Sequence, residues 1–348
     1  MTKDLEAVMK AFRWFSFGIA FGLIIAVAFG FERTGVNLSP KERAQEPSNY
    51  DDLPPKQRLF VNARAASEDQ EDGKLRIVCF GAHPDDCEIR AGGVGAMWAE
   101  LGHHVKFVSA TNGDIGHWRI AGGPLAIRRF DEVQKAARVL GVKTDVLDIH
   151  DGELMPTLEN RRTFTRKIRE WNADIVMSHR PNDYHPNHRY TGVLTQDSAF
   201  MVAVPFFCPN TPHLTKNPVF LFYSDNFERP NPFQPDVVVS IDSVIEKKID
   251  ALVLMESQFL EGGALGYTRE FPETEEAREA GRKRARANFE RRFARTADTY
   301  RQKLIELYGE KVGKDVKYAE AFEVCEYGRQ PKKEELLQLF PILSQKET

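Results

Sequence analysis

Four side chains suited to acid–base or metal chemistry lie within one short stretch, GAHPDDCE. They are His83, Asp85, Asp86 and Glu88, and they follow the apolar, strand-like run LRIVCF at residues 75–80. Two adjacent carboxylates repel each other unless a cation lies against them or one of them stays protonated. The stretch therefore predicts a site that holds positive charge. The alternative is a polar turn or helix cap, which is the more common role of an isolated Asp-Asp pair.

The stretch HRPNDYHPNH, which follows the apolar run DIVMS, concentrates imidazole side chains. It contains His179, His185 and His188, three of the nine histidines in the chain. Together with His83 and Asp86, these residues supply enough nitrogen and oxygen donors for a metal ion. Imidazole and carboxylate ligands without thiolate suit zinc best, and iron(II), cobalt or manganese also accept them. A catalytic zinc site usually takes three protein ligands and keeps one position for water.

The chemistry expected of such a site is hydrolysis. Water bound to zinc has a pKa of roughly 7, so hydroxide forms at neutral pH. A carboxylate beside the metal is placed to take the proton from that water, and a donor must face the oxyanion that forms at the attacked carbonyl. Either stretch alone is compatible with a polar loop. Both together, each after a predicted strand, favour a metal site.

Short apolar runs alternate with amphipathic patterns along most of the chain. The strand-like runs lie at residues 75–80, 105–110, 145–149, 174–178, 219–224 and 236–241. The helical patterns lie at residues 91–101, 125–140, 158–171, 243–258 and 273–307, and a strand with a turn is expected at residues 318–331. This alternation predicts an α/β, Rossmann-like fold, with a mostly parallel sheet and helices on both faces.

Ligands of open α/β sheets bind beyond the carboxyl ends of the strands. Three polar loops follow predicted strands, namely GAHPDDCE, TNGDIGH and HRPNDYHPNH. We therefore expect the active site at the C-terminal strand ends. A dinucleotide-binding loop at residues 92–95 (GGVG) is disfavoured, because the third glycine of that pattern is missing and the pattern starts too far after the strand. We expect these glycines to serve packing.

The composition of the 348-residue chain, 42% hydrophobic and 28% charged, is that of a globular enzyme. A net charge of −3 argues against nucleic acid as a partner. The uncharged residues 14–31 are about as long as the shortest membrane-spanning helices. We expect a membrane anchor or an export signal at residues 1–31, with the side of the membrane open, and a flexible linker at residues 32–73. The α/β domain, with a helical C-terminal extension, would occupy residues 74–348.

AHPDD after the first strand, TNGDIGH after the second, RRFDE on the next helix and the late HPNH resemble the motifs of the LmbE/PIG-L family of zinc-dependent N-deacetylases. The resemblance covers roughly residues 75–258. It implies a Rossmann-like enzyme in which metal-bound hydroxide removes an N-acetyl group from an N-acetylglucosamine-type conjugate. The implied cofactor is Zn²⁺, with Fe²⁺ as an alternative, and the implied partner is an amino-sugar conjugate.

The resemblance also implies roles for individual residues. His83, Asp86 and His188 would be the metal ligands. Asp85 would be the general base that takes a proton from the metal-bound water. His185 would either stabilise the tetrahedral oxyanion or protonate the leaving amine.

Substrate binding is expected from the second loop and the helix after it. Arg129 would hold a sugar hydroxyl or a phosphate, and the equally weighted alternative is a surface arginine paired with Glu132. Asp114 is predicted to bind substrate and His117 to lie at the mouth of the site. The alternative for Asp114 is a turn residue after Gly113.

The chain departs from the family pattern in two places. Asn187 stands where the family usually has Asp between the two histidines, and Asn can only hydrogen-bond His185 where Asp would also raise its basicity. Cys87 stands where many members have Glu, and the acid comes one residue later, at Glu88. We expect Cys87 to lie in the core or behind the ligands, and not to bind the metal.

Three alternatives to the N-deacetylase remain. One is an amidase acting on another acylated amine conjugate, and another is a non-catalytic domain that binds metal or sugar. The third is the dinucleotide-binding domain disfavoured above. The strongly basic residues 277–301 are expected to form a solvated helix face, and the alternative is contact with anionic lipid or polysaccharide.

Overall fold

A computed structural model describes residues 72–266 and 271–340 of the chain. The hydrophobic residues 14–31 and the linker up to residue 71 lie outside these ranges, so the anchor or export signal stays a prediction. Within the two ranges, every helix is too short or too polar to span a bilayer.

The described chain alternates strands and helices as the sequence predicts. The strands are β1 (Arg76–Gly81), β2 (His104–Ser109), β3 (Lys143–Val146), β4 (Ile175–Ser178), β5 (Val219–Tyr223), β6 (Val237–Ser240) and β7 (Ala319–Gly328). The helices are α1 (Asp86–Glu100), α2 (Gly123–Leu140), α3 (Leu158–Glu170), α4 (Pro186–Met201), α5 (Ile245–Val253), α6 (Glu256–Phe259), α7 (Glu275–Thr299), α8 (Arg301–Tyr308), α9 (Glu310–Asp315) and α10 (Lys333–Leu339).

All seven strands form one sheet in the order β3-β2-β1-β4-β5-β7-β6. The first five strands in this order, β3, β2, β1, β4 and β5, pair in parallel. Strand β7 is antiparallel to both β5 and β6. Gly81 at the end of β1 lies level with Ser109 at the end of β2. The predicted α/β fold with a mostly parallel sheet is confirmed, and the loops after β1, β2 and β4 open at one edge.

Apolar side chains cover both faces of the sheet. Along β1, Ile77 and Cys79 belong to one buried cluster, and Val78 and Phe80 belong to another. Successive side chains of a strand point to opposite faces, so the two clusters are the two helix-covered sides of the sheet. All four cysteines are free and buried within the described structure.

Helix α4 was not expected, because HPNH was assigned to a polar loop. In the structure His185 is the N-cap of α4, Pro186 is its first residue, and the His185 ring nitrogen Nδ1 accepts a hydrogen bond from the Asn187 amide at 3.2 Å. Proline at the first helical position needs no hydrogen-bond partner for its nitrogen. The HPNH motif therefore begins a helix, and the helix backbone fixes the spacing of its two histidines.

The packing role predicted for the GGVG glycines is clearest at Gly93 in α1. A Cβ atom there would lie 2.6 Å from Ile241 Cγ2 and 2.9 Å from Glu320 Oε1. The Glu320 carboxylate accepts hydrogen bonds from the amides of Gly93 and Val94, both at 2.8 Å, and pairs with the buried Lys248. The absent side chain thus lets α1 approach β7 closely.

We expect Gly93→Ala to lower the free energy of unfolding by about 1–3 kcal/mol, because the added methyl overpacks this contact. Gly123→Ala is the matched control, since no heavy atom lies within 4 Å of a Cβ built there. Urea denaturation of both variants measures the effect. Equal stability of the two variants would contradict the packing role.

Candidate metal centre and active site

The turn between β1 and α1 is organised around the side chain of Asp86. Its Oδ2 atom accepts hydrogen bonds from the amides of Ala82 at 2.9 Å and His83 at 2.8 Å. These bonds close the turn and hold the carboxylate at the C-terminal end of β1. Contacts within residues 82–86 are thus sufficient to place a carboxylate beside His83.

His83, Asp86 and His188 converge as predicted. Asp86 Oδ2 lies 3.3 Å from His83 Nδ1 and 3.5 Å from His188 Nε2, and the two ring nitrogens are 3.3 Å apart. Ligand atoms about 2.0–2.1 Å from a tetrahedral zinc ion are about 3.3–3.4 Å from one another. The three atoms therefore have the spacing of one face of a zinc coordination tetrahedron, so the donor set fits a metal.

Each metal-facing histidine is held from behind by a carboxylate. His83 Nε2 lies 3.1 Å from Asp151 Oδ1, and His188 Nδ1 lies 3.1 Å from Asp183 Oδ1. Metal-binding histidines usually donate their other ring N–H to such a partner. Sequence reasoning missed both carboxylates. Asp183 lies inside the quoted HRPNDYHPNH stretch, and Asp151 follows the predicted strand at residues 145–149.

The charges of the cluster are arranged around a cation. Burial alone would lower the pKa of His83, but hydrogen bonds to Asp151 and Asp86 raise it to about 10. Burial opposes ionisation of Asp86, yet the imidazoles of His188 and His179 hold the pKa of that carboxyl well below its usual range. Without a metal the site would carry a proton on His83, and a divalent cation would displace that proton.

Asp85 lies beside the cluster and is suited to accept a proton. Its side chain is buried, and its carboxylate has no hydrogen-bond partner among the described residues. Burial, followed by repulsion from Asp86, raises the pKa of Asp85 to about 6. A carboxylate with a pKa near the working pH is an effective general base.

The predicted second catalytic residue, His185, lies with its ring centroid 4.6 Å from that of His83 and 5.1 Å from that of His188. Burial, followed by repulsion from those two imidazoles, lowers the pKa of His185 to about 4. Because Nδ1 accepts the Asn187 amide hydrogen, the neutral ring carries its proton on Nε2. This favours His185 as a hydrogen-bond donor to an oxyanion over His185 as an acid.

A fourth imidazole, His179, completes the cluster. Its Nε2 atom lies 3.3 Å from Asp86 Oδ2, and its ring stacks on that of His188 with centroids 4.1 Å apart. Burial lowers the pKa of His179 to about 4, so the ring is neutral. Overlapping sets of possible ligands include Asp86 with His179 and His188.

The predicted substrate residue Arg129 lies in the interior, behind the second loop. Its Nη2 donates to Gly116 O at 2.7 Å and to Gln258. The alternative of a surface pair with Glu132 is wrong, because Arg129 is buried and Arg128 Nε binds Glu132 instead, at 3.1 Å. Substrate contact by Arg129 stays a prediction, and the observed contacts show that it braces the loop.

Asp114 and His117 are also engaged within the protein. Asp114 accepts a hydrogen bond from the Asp151 amide at 3.0 Å and contacts His150 Nδ1 at 2.6 Å, so it supports the loop that carries Asp151. The His117 side chain is buried and faces Glu261 at 3.2 Å. The substrate role of Asp114 stays a prediction. The placement of His117 at the mouth of the site is wrong, because no solvent reaches that ring.

The two departures from the family pattern have different structural consequences. The Asn187 side chain does not orient His185. Its amide donates to Asp151 Oδ1 at 2.9 Å, where an Asp would bring two carboxylates together. Cys87 faces the core, with its thiol 3.3 Å from Cys79 O, as expected. Burial raises the pKa of its neighbour Glu88 to about 8, so this acid is largely protonated at neutral pH.

We expect Asp183→Asn to weaken metal binding about 10- to 100-fold. Asn keeps the oxygen that accepts the His185 amide at 3.0 Å but removes the charge behind His188. Titration with zinc in a competing chelator measures the affinity. Asp197→Asn, which removes a half-exposed partner of Arg161, is the control. Equal affinities in the two variants would show that Asp183 does not support the ligand.

The family model for PIG-L, described as GlcNAc-PI de-N-acetylase, matches residues 78–199. The chain is 32% identical over 198 residues to diacetylchitobiose deacetylase of Thermococcus kodakarensis, covering 53% of this chain and 71% of the relative. It is 26% identical over 185 residues to 4-oxalmesaconate hydratase of Pseudomonas putida, covering 51% and 71% respectively.

Several solved structures share the fold. N,N'-diacetylchitobiose deacetylase from Pyrococcus horikoshii superposes with a TM-score of 0.56 at 23% identity, covering 78% of this chain and 89% of that one. The 4-carboxy-2-hydroxymuconate hydratase of Pseudomonas putida superposes with a TM-score of 0.59 at 20% identity, covering 75% and 99%. The matched residues 78–199 contain all three predicted metal ligands as well as Asp85 and His185. This chain therefore belongs to the LmbE/PIG-L family.

Proposed function

We propose that the protein is a metal-dependent hydrolase that removes the N-acetyl group from an amino-sugar conjugate. The observation that carries this proposal is the ligand triangle of His83, Asp86 and His188, with the free carboxylate of Asp85 beside it. The relationship to a diacetylchitobiose deacetylase supports acetyl release from an amino sugar. Zinc is the metal that the donor set suits best, and Fe²⁺ is the alternative.

The side chains divide the work as follows. Zinc or a related cation, when bound, supplies the Lewis acidity that activates water and polarises the amide carbonyl. Asp85 takes the proton from the attacking water and later delivers it to the leaving amine. His185 donates from Nε2 to the oxygen that gains negative charge. Asp151 and Asp183 hold the ligand rings in place.

The relationship to a hydratase supplies a second candidate. A metal with an adjacent base also suits the addition of water to a carbon–carbon double bond. Asp85 would then activate the water, and the product would keep every atom of the substrate. Release of a free amine with acetate therefore separates the two reactions.

The test is acetate release from a substrate panel, measured with and without a chelator. N-acetylglucosamine, N,N'-diacetylchitobiose and other N-acyl amines should be compared, with an unsaturated dicarboxylate as the hydratase substrate. We expect acetate from the amino sugars, its loss with chelator and its return with zinc. Full activity in a metal-free preparation would overturn the proposal, and bound metal with no product from any substrate would favour a binding domain.

A further inference from the structure

A cavity of about 630 Å³ lies next to the metal centre. It is lined by α1, by the chain that follows β4 and β5, and by about three turns of α7, most of whose lining side chains are polar. Tyr184 forms part of its wall, and the ring centroid of this residue lies 5.7 Å from those of both His185 and His188. A substrate held at the metal therefore has room to extend into this cavity.

The cavity carries an excess of positive charge. Four arginines line it, namely Arg90, Arg291, Arg292 and Arg295. The two carboxylates in its wall are already neutralised, because Asp225 pairs with Arg180 at 2.6 Å and Glu320 pairs with the buried Lys248. Within the described ranges, none of the four arginines forms a salt bridge.

Arg292 and Arg90 interact electrostatically with side chains of the metal centre, Arg292 with Asp86 and Asp85 and Arg90 with His179. Arg90 Nη1 donates to Ser224 O at 2.5 Å, which fixes its guanidinium without neutralising it. Arg292 is exposed to solvent where it lines the cavity, although protein surrounds much of the side chain. Burial, followed by repulsion from Arg90, lowers the pKa of Arg292 to about 10. Two guanidinium groups that repel each other and have no carboxylate partner favour the binding of an anion, which can accept charge-assisted hydrogen bonds from both.

Other arginines of α7 are arranged differently. Arg282 and Arg286 pair with Glu256 and with Asp250 on neighbouring helices, and they lie outside the cavity. Much of the basic helix thus forms the solvated face expected for residues 277–301, and in the structure this face is ion-paired with neighbouring helices. The unpaired arginines occur where the helix borders the cavity. Helix α7 also lies outside the segment matched by the family model, so this wall is a feature of the chain beyond the shared motifs.

We propose that Arg90 and Arg292 form a subsite for an oxyanion, a phosphate or carboxylate group carried by the substrate near its N-acetyl group. The guanidinium fork suits both groups, since it donates two parallel hydrogen bonds to either. The identification of the anion as part of a substrate rests on the proposed hydrolytic function. Binding of an anionic sugar at the subsite does not depend on that function.

The kinetic test compares matched substrates. The kcat/KM for acetate release should be measured for N-acetylglucosamine, its 1-phosphate and 6-phosphate, and N-acetylmuramic acid, which carries a carboxylate. We expect at least one anionic sugar to be preferred about tenfold or more, the gain typical of a charge-assisted bond. In Arg292→Gln and in the double variant with Arg90→Gln, this preference should fall about tenfold. Arg286→Gln, which removes an equal charge from the same helix, should keep it.

A binding measurement separates failure of the subsite from failure of the hydrolase. Calorimetry on zinc-loaded Asp85→Asn protein gives the Kd of each sugar without turnover. If no amide is cleaved but anionic sugars bind about tenfold more tightly through Arg292, the hydrolase proposal fails and the subsite stands. If amides are cleaved with the same preference in Arg292→Gln and wild type, or with no preference in wild type, the subsite is overturned.

A lipid surface is the remaining source of an oxyanion. Co-sedimentation of the full chain with vesicles of phosphatidylcholine and phosphatidylglycerol tests it. A loss of vesicle binding in Arg292→Gln that Arg286→Gln does not share, with an unchanged substrate preference, would assign these arginines to a membrane contact and overturn the subsite.

Discussion

Asp85→Asn should abolish hydrolysis while the protein keeps its metal. Asn has nearly the same shape, but it cannot accept a proton from water. Removal of a general base typically costs about 10²- to 10⁴-fold in rate. None of the three ligand atoms belongs to Asp85, so the zinc content of the variant should be unchanged. The kcat for acetate release and the zinc content by atomic spectroscopy, measured on one preparation, check both halves of this expectation.

The pH profile gives an independent check on Asp85. Its pKa is raised to about 6, mainly by burial, and only the deprotonated carboxylate acts as a base. A bound cation lowers the pKa of a neighbouring carboxyl, so the activity of the metal-loaded enzyme should fall as the pH drops below about 6. The exposed Asp131→Asn should leave rate and profile unchanged. Wild-type kcat in Asp85→Asn, or loss of its zinc, would show that Asp85 is not the base.

The sequence predicts the order of the strands along the chain well, because each strand is a short apolar run between polar loops. Their positions in the sheet depend on pairing between distant segments. The local pattern predicts a strand at residues 318–331, but it does not show that this strand, β7, lies antiparallel between β5 and β6. Helix α4 was missed for a related reason. Its buried face is built largely from polar or small side chains such as Thr191, Gly192 and Ser198, so it lacks an apolar period.

The site divides in the same way between local and distant contacts. Asp86 and His83 are neighbours in one turn, and the motif alone locates them. Asp151 reaches His83 only because the loop after β3 folds over the sheet edge, with its backbone held by Asp114. The register of α2 was decisive for the second loop, since Arg128 faces Glu132 and Arg129 faces the interior. A single sequence shows an R-R pair there and does not say which arginine points inward.

Asp86→Asn should have the opposite effect on the metal from Asp85→Asn. Asp86 Oδ2 lies at the corner shared by His83 and His188, at 3.3 and 3.5 Å. Asn carries no negative charge, and its side-chain oxygen still accepts hydrogen bonds from the amides of Ala82 and His83. That oxygen is therefore a poor metal ligand. Loss of a partner behind a ligand already costs about 10- to 100-fold in affinity. Loss of the ligand itself should exceed that, and hydrolysis should disappear together with bound zinc.

The control for Asp86→Asn is the wild-type protein stripped of metal. If Asp86 acts as a ligand, both proteins should lack activity, and zinc should restore only the wild type. Comparable thermal unfolding of the two would show that the turn between β1 and α1 survives the substitution. If the Asp86→Asn protein bound zinc with wild-type affinity, Asp86 would not be a ligand and the metal would be held by other side chains. If Asp85 is a base and Asp86 is a ligand, the two variants should respond differently. Asp85→Asn should lose turnover and keep its metal, whereas Asp86→Asn should lose the metal itself.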